Sequence, residues 1–98
     1  MNKLNILFLI VRSRVNNVNK CSIKCRLTFD KKRKEFSTGI FINPNSWYSK
    51  KQCVKESDEH SKIINQKLSL ISQKLHQAFL FLEVNLNHFT VSDIYRKY

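Results

Sequence analysis

"CSIKCRLTFDKKRKEFSTGIFINPNSW" runs from Cys21 to Trp47, and its alternation decides the fold. Cys21, Ile23, Cys25, Leu27 and Phe29 fall on one side of an extended chain, and Ser22, Lys24, Arg26 and Thr28 on the other. That period of two is the mark of a half-buried strand. Lys34 to Ile42 alternates less strictly: Phe36, Thr38, Ile40 and Ile42 share one face, and Glu35, Ser37, Gly39 and Phe41 the other. Two such runs with a short polar link predict an antiparallel hairpin.

Two registers keep the apolar faces together, and charge discriminates between them. A loop at Lys32-Arg33 sets Asp30 against Glu35, a like-charge pair that costs up to about 1 kcal/mol. A loop at Asp30-Lys31 sets Arg26 against Glu35 and gains a similar amount. The second register is expected. Asp suits the first position of a type I′ turn, although Lys31 stands where Gly is usual.

The chain's only proline, Pro44, follows Asn43 as the second residue of a type I turn, so the strand is expected to end near Ile42. Trp47, the only tryptophan, then anchors a small core, and Tyr48 to Val54 reads as a short polar extended stretch. On the other side, Leu4 to Arg12 reads as a strand, closed by the loop "RSRVNNVNK". Its near-continuous hydrophobicity does not say which face is buried. "MNKLNILFLIV" imitates a signal peptide, but Asn5 interrupts it and no small-residue cleavage site follows; it is also too short to cross a bilayer.

From Asp58 the period changes. Ile64, Leu68, Ile71, Leu75, Ala78 and Leu82 draw one stripe along a helix of about 25 residues, with Ser57 as the expected N-cap. Leu70, Phe79, Leu80 and Phe81 extend the apolar surface, so the far end is expected to meet another element. In "NHFTVSDIYRKY", Thr90 and Asp93 form a capping box, and Phe89 with Ile94 a hydrophobic staple. A helix of two turns is marginal alone and is expected to lead into further chain. The fold class is α+β: an antiparallel sheet packed on a long helix, then the start of another helix.

Ninety-eight residues suit one small domain with a modest core. Residues 1–55 carry thirteen Lys or Arg against Asp30 and Glu35, whereas residues 56–98 are neutral, so the whole formal charge of +11 sits in the first half. Such one-sidedness makes a field that attracts a polyanion. Cys21, Cys25 and Cys53 show no paired spacing, and His60, His76 and His88 lie far from them, so reduced thiols are expected and no metal site. No nucleophile–base order, glycine-rich phosphate loop or paired carboxylates suggest an enzyme.

"CRLTFDKKRKEFSTGIFINPNSWYSKKQCVK", followed by "INQKL" and "FTVSDIY", closely resembles the N-terminal arm-type DNA-binding domain of tyrosine-recombinase integrases from Bacteroidetes phages and mobile elements. The likeness runs from about Ile6 to Tyr98. It implies a three-stranded antiparallel sheet on a C-terminal helix, with the sheet's exposed face in the major groove of arm-site DNA. It implies an arm-binding domain over 1–88, and in 89–98 the lead-in to a core-binding helical domain. The family's catalytic residues, including its nucleophilic Tyr, lie in a separate domain; Tyr48, Tyr95 and Tyr98 are not that nucleophile. The expected partners are double-stranded DNA and the rest of a recombinase, in the bacterial cytoplasm at the nucleoid, with no cofactor, metal or membrane. Two departures stand out: "NNVNK" replaces a glycine-containing first loop, and Asp30-Lys31 replaces Asn-Gly.

A ribbon of strands fits the major groove, about 12 Å wide, with its outward side chains at base edges. The base-reading candidates are Ser22, Lys24, Arg26, Thr28, Arg33, Glu35 and Ser37, with Arg26 foremost as a bidentate partner for guanine. Glu35 either accepts from a cytosine amino group or orients Arg26. Arg12, Arg14, Lys20, Lys31, Lys32, Lys34, Lys50 and Lys51 are the phosphate candidates, Lys34 with a strand parity that points inward. Gly39, on the proposed DNA face, allows a bulge or a close backbone approach. Two other functions fit the composition: RNA binding, which would need more aromatics than Phe41 on the sheet, and protein interaction through the apolar helix end.

Overall fold

The computed structural model describes residues 3–98, so the expected domain start at residue 1 lies outside the described residues. Three strands, β1 (Asn5–Leu9), β2 (Cys21–Phe29) and β3 (Lys32–Ile42), form an antiparallel sheet in that order. A 3₁₀ turn at Pro44–Ser46 leads to a two-stranded ribbon, β4 (Trp47–Tyr48) and β5 (Cys53–Val54). Helices α1 (Ser61–Asn85) and α2 (Val91–Lys97) complete the α+β architecture.

The hairpin takes the register that charge favours: Arg26 opposes Glu35 and Phe29 opposes Lys32. Asp30 (φ 52°) and Lys31 (φ 65°) are both left-handed, as a type I′ turn requires. The left-handed backbone costs a residue with a Cβ about 1 kcal/mol or more, and the paired strands on either side hold it there. Farther along, β3 carries a bulge. Lys24 opposes Ser37 but Ser22 opposes Phe41, so Thr38, Gly39 and Ile40 all stand against Ile23. The Thr38 hydroxyl donates to the Ile23 carbonyl (2.7 Å) and accepts from the Ile40 N–H (3.2 Å), replacing the ladder bonds the bulge disrupts. Gly39 has φ 79°, and a Cβ built there meets nothing within 4 Å. Backbone conformation, rather than close approach within the fold, is therefore what asks for glycine.

β1 is shorter than the expected Leu4 to Arg12, because the chain turns away after Leu9 opposes Lys24. The Arg14 N–H bonds the Val11 carbonyl (2.9 Å), and the Arg12 guanidinium donates to the Pro44 carbonyl (2.5 Å). The next loop is closed by Asn16, whose side-chain oxygen accepts from the N–H groups of Val18 and Lys20, both at 3.0 Å. Asn19 (φ 60°) takes the left-handed position there, the conformation Asn tolerates best after Gly.

Tyr48 to Val54 is not simply extended. It folds back on itself, pairing Trp47 with Val54 and Tyr48 with Cys53, with Gln52 at φ 53° in the turn. A ribbon this short cannot hold itself, and side chains tie it down. The Gln52 Oε1 accepts from the Phe8 N–H (2.9 Å) on the outer edge of β1, and the Asn65 amide of α1 bonds both the N–H and the carbonyl of Val54 (2.8 and 3.1 Å). Trp47, at the start of the ribbon, is buried in the core.

The core lies between the sheet and the helices. β2 buries its whole alternating face, Cys21 to Phe29, and the part from Ile23 to Phe29 shares one core with Leu68, Leu75, Ala78, Phe79 and Leu82 of α1. The helix begins at Ser61, three residues past the expected start, and its N-cap is His60 rather than Ser57. Asp58 is used before the helix instead: its carboxylate accepts from the His60 N–H (2.8 Å), which holds that carboxyl below its ordinary range.

α2 starts with the expected capping box. The Thr90 hydroxyl accepts from the Asp93 N–H (3.2 Å), and Asp93 accepts from the Thr90 N–H (2.8 Å). Val91 and Ile94 are buried in the same core as the sheet. Phe89 stacks on Phe29 with centroids 4.9 Å apart, Phe79 closes that trio edge-on, and Phe36 packs against the rings of Tyr95 (4.7 Å) and Tyr98 (5.6 Å). The short helix is thus held by tertiary packing, which a two-turn helix needs.

Candidate nucleic-acid interface

Opposed residues of an antiparallel pair share a face, so the two registers stack side chains into cross-strand rows. Asn5, Thr28 and Arg33 form one row; Leu7, Arg26 and Glu35 the next; then Leu9, Lys24 and Ser37; finally Ser22 and Phe41. The opposite side of β2 is the one packed on the helices, so these rows form the outer face of the sheet. All seven residues expected to read bases fall on it.

Its centre is an ion pair. The Arg26 Nε lies 2.6 Å from the Glu35 Oε2, with the two side chains 28% and 38% exposed. An exposed pair adds little stability, at most about 1 kcal/mol, so its value is geometric. The carboxylate engages Nε and leaves the outer edge of the guanidinium, Nη1 and Nη2, without a hydrogen bond among the described residues. Glu35 therefore orients Arg26. Beside them the Ser22 and Ser37 hydroxyls bond each other, and the Gly39 N–H donates to the Ser37 hydroxyl (3.1 Å). The bulge and the outer face are in this way one structure.

The cations around this face divide into two groups. Arg14 lines a hollow at the end of the sheet with Lys24, Val11, Val15 and Phe41. Lys31, Lys32 and Arg33 are exposed at the hairpin tip, and Lys20 and Arg12 are exposed on the loop side, Arg12 with one bond committed to Pro44. The rest lie elsewhere. Lys34 opposes Leu27 and so has the inner parity; its Nζ sits 5.2 Å from the centre of the Tyr95 ring, which is a cation–π contact with α2 rather than a place at the outer face. Lys51 lines a hollow with Ile6, Phe8 and Leu68, on the helix side of the β1 edge, and its Nζ approaches the Tyr48 ring at 5.6 Å. Lys50 is exposed in the adjoining turn.

Sequence reasoning did not place Asn5, Leu7 and Leu9 on the outer face. Leu4 and Phe8 are buried, with Ile6 and Ile10 packed on the core, so the alternate residues of β1 must point out. Both parities of "LNILFLI" carry leucines, and the single cue was the polar Asn5.

Burial pushes the Cys25 thiol up to about 12, where it is inert as a nucleophile. Tyr95 and Tyr98 are committed to the ring contacts with Phe36, and burial raises Tyr98 above its ordinary value. Among the described residues there is no group of His, Cys, Asp and Glu able to hold a metal ion, and no helix is long and apolar enough to cross a membrane.

Neither a curated protein nor a solved structure matches the chain significantly. A family model described as "Arm DNA-binding domain" matches residues 8–95, from the middle of β1 to the last turn of α2. That span contains the end of β1, the whole of β2, β3, the ribbon and α1, and most of α2, and on this evidence the chain belongs to the arm DNA-binding domain family.

Proposed function

We propose that the outer face of the sheet enters the major groove of double-stranded DNA and reads a specific sequence. The chain would then be the arm-site-binding module of a tyrosine site-specific recombinase that integrates a mobile element, acting at the nucleoid. The observation that carries the proposal is Arg26: it stands in the middle row, held by Glu35, with no hydrogen bond among the described residues on the outer edge of its guanidinium. That edge has the geometry to bond guanine O6 and N7 together. Lys24 and Arg33 flank it in neighbouring rows, and the exposed Arg14, Lys20, Lys31 and Lys32 around the face are the candidates for phosphate contacts. Lys34 is left out of this set because it covers Tyr95. Stacking of RNA bases finds less support, since Phe41 is the one aromatic in these rows.

Two substitutions separate reading from holding. Arg26→Ala is expected to lose about 1–3 kcal/mol of discrimination between its preferred duplex and one altered at a guanine, whereas Arg14→Ala should weaken both duplexes alike. Competition titrations on the two duplexes measure this. Equal behaviour of the two variants would mean that the outer face does not read bases.

A further inference from the structure

We infer that Leu7 and Leu9 read thymine, through its 5-methyl group, beside the bases that Arg26 and Lys24 contact. The inference rests on the DNA-binding proposal above and assigns a second kind of specificity to the same face. The solvated side of an antiparallel sheet is normally polar. Here β2 obeys that rule and β3 departs from it at Phe41, but β1 sets two leucines there, Leu7 in the row of Arg26 and Leu9 in the row of Lys24, and no element of the described residues covers that side. Both leucines are half-buried.

Adjacent strands lie about 4.8 Å apart, so three strands span roughly 10 Å, within the width of the major groove. A groove that admits Arg26 therefore admits the leucines of the same rows. On its floor, the donors and acceptors of G, C and A offer nothing to an isobutyl group; the apolar feature is the thymine methyl. Leucines facing any other base would bury its polar edge without a partner, which is penalised. The apolar strand thus discriminates for thymine by contact and against other bases by desolvation. The cations in the same rows, and the local positive charge around them, fit nucleic acid as the occupant better than an apolar protein surface.

The test removes one methyl group at a time. Duplexes would first be enriched from a randomised pool by the intact chain, and each thymine of the enriched site then replaced by deoxyuridine, which differs by that methyl alone. Loss of a buried methyl contact is expected to weaken binding about fourfold at one or two positions next to the guanine sensed by Arg26. Leu7→Ser and Leu9→Ser, at half-exposed sites, should each bind the thymine and deoxyuridine forms of one position equally. If the pool yields a specific site but no deoxyuridine changes affinity in the unsubstituted protein, the methyl contact is wrong while the DNA-binding proposal stands. Deoxyuridine effects that persist unchanged in both leucine variants would likewise overturn it. If no sequence is enriched at all, the reading face itself is wrong and the leucine assignment falls with it.

Discussion

Duplex binding is expected to weaken about a thousandfold when salt is raised from 50 to 200 mM. A protein that neutralises Z phosphates displaces their condensed counterions, and the logarithm of its affinity falls with slope near −0.9Z against the logarithm of salt. The geometry sets Z. Arg12, Arg14, Lys20, Lys31, Lys32 and Arg33 are exposed around the outer face or the hairpin tip, whereas Lys34 covers Tyr95 and Lys51 lies on the helix side. About six phosphates give a slope near −5, the low end of what a formal charge of +11 could support. A slope between −1 and −2 would show that the basic face is only a solvated surface.

The second large effect concerns α2. Ile94→Ala should destabilise the fold by about 2–5 kcal/mol, because it empties a fully buried site at the junction of both helices and the sheet. Leu80→Ala, on the exposed side of α1, should stay within about 0.5 kcal/mol and serves as the control. Urea denaturation measures both. A domain of this size has a margin of roughly 5–15 kcal/mol, so the first variant could lose a third of it or more. A cost below about 1 kcal/mol for Ile94→Ala would mean that α2 is an appendage, not part of the core.

What the sequence made legible was whatever a strict period or a charge pair could encode. The alternation of Cys21 to Phe29 fixed the inner and outer faces of β2, and the choice between Arg26 and Asp30 as the neighbour of Glu35 fixed the hairpin register. The stripe from Ile64 to Leu82 gave the helix, and Thr90 with Asp93 its successor. What stayed hidden depends on contacts between distant residues. The β4–β5 ribbon is held by Gln52 on Phe8 and Asn65 on Val54, bonds across 44 and 11 positions that no local pattern announces. The start of α1 was displaced because Asp58 closes a turn of its own, leaving Ser57 no helix to cap. The orientation of β1 was ambiguous because its outer residues are apolar too. That ambiguity has a functional cause if Leu7 and Leu9 face bases.

The proposed mode of binding sets the outer face of this sheet in the major groove. Methylation interference tests it most directly, because dimethyl sulfate marks guanine N7 in the major groove and adenine N3 in the minor groove. The expected result is exclusion of duplexes methylated at one or more guanines from the bound fraction, with the exclusion at one guanine lost in Arg26→Ala. Interference confined to adenine N3, unchanged by that substitution, would contradict it.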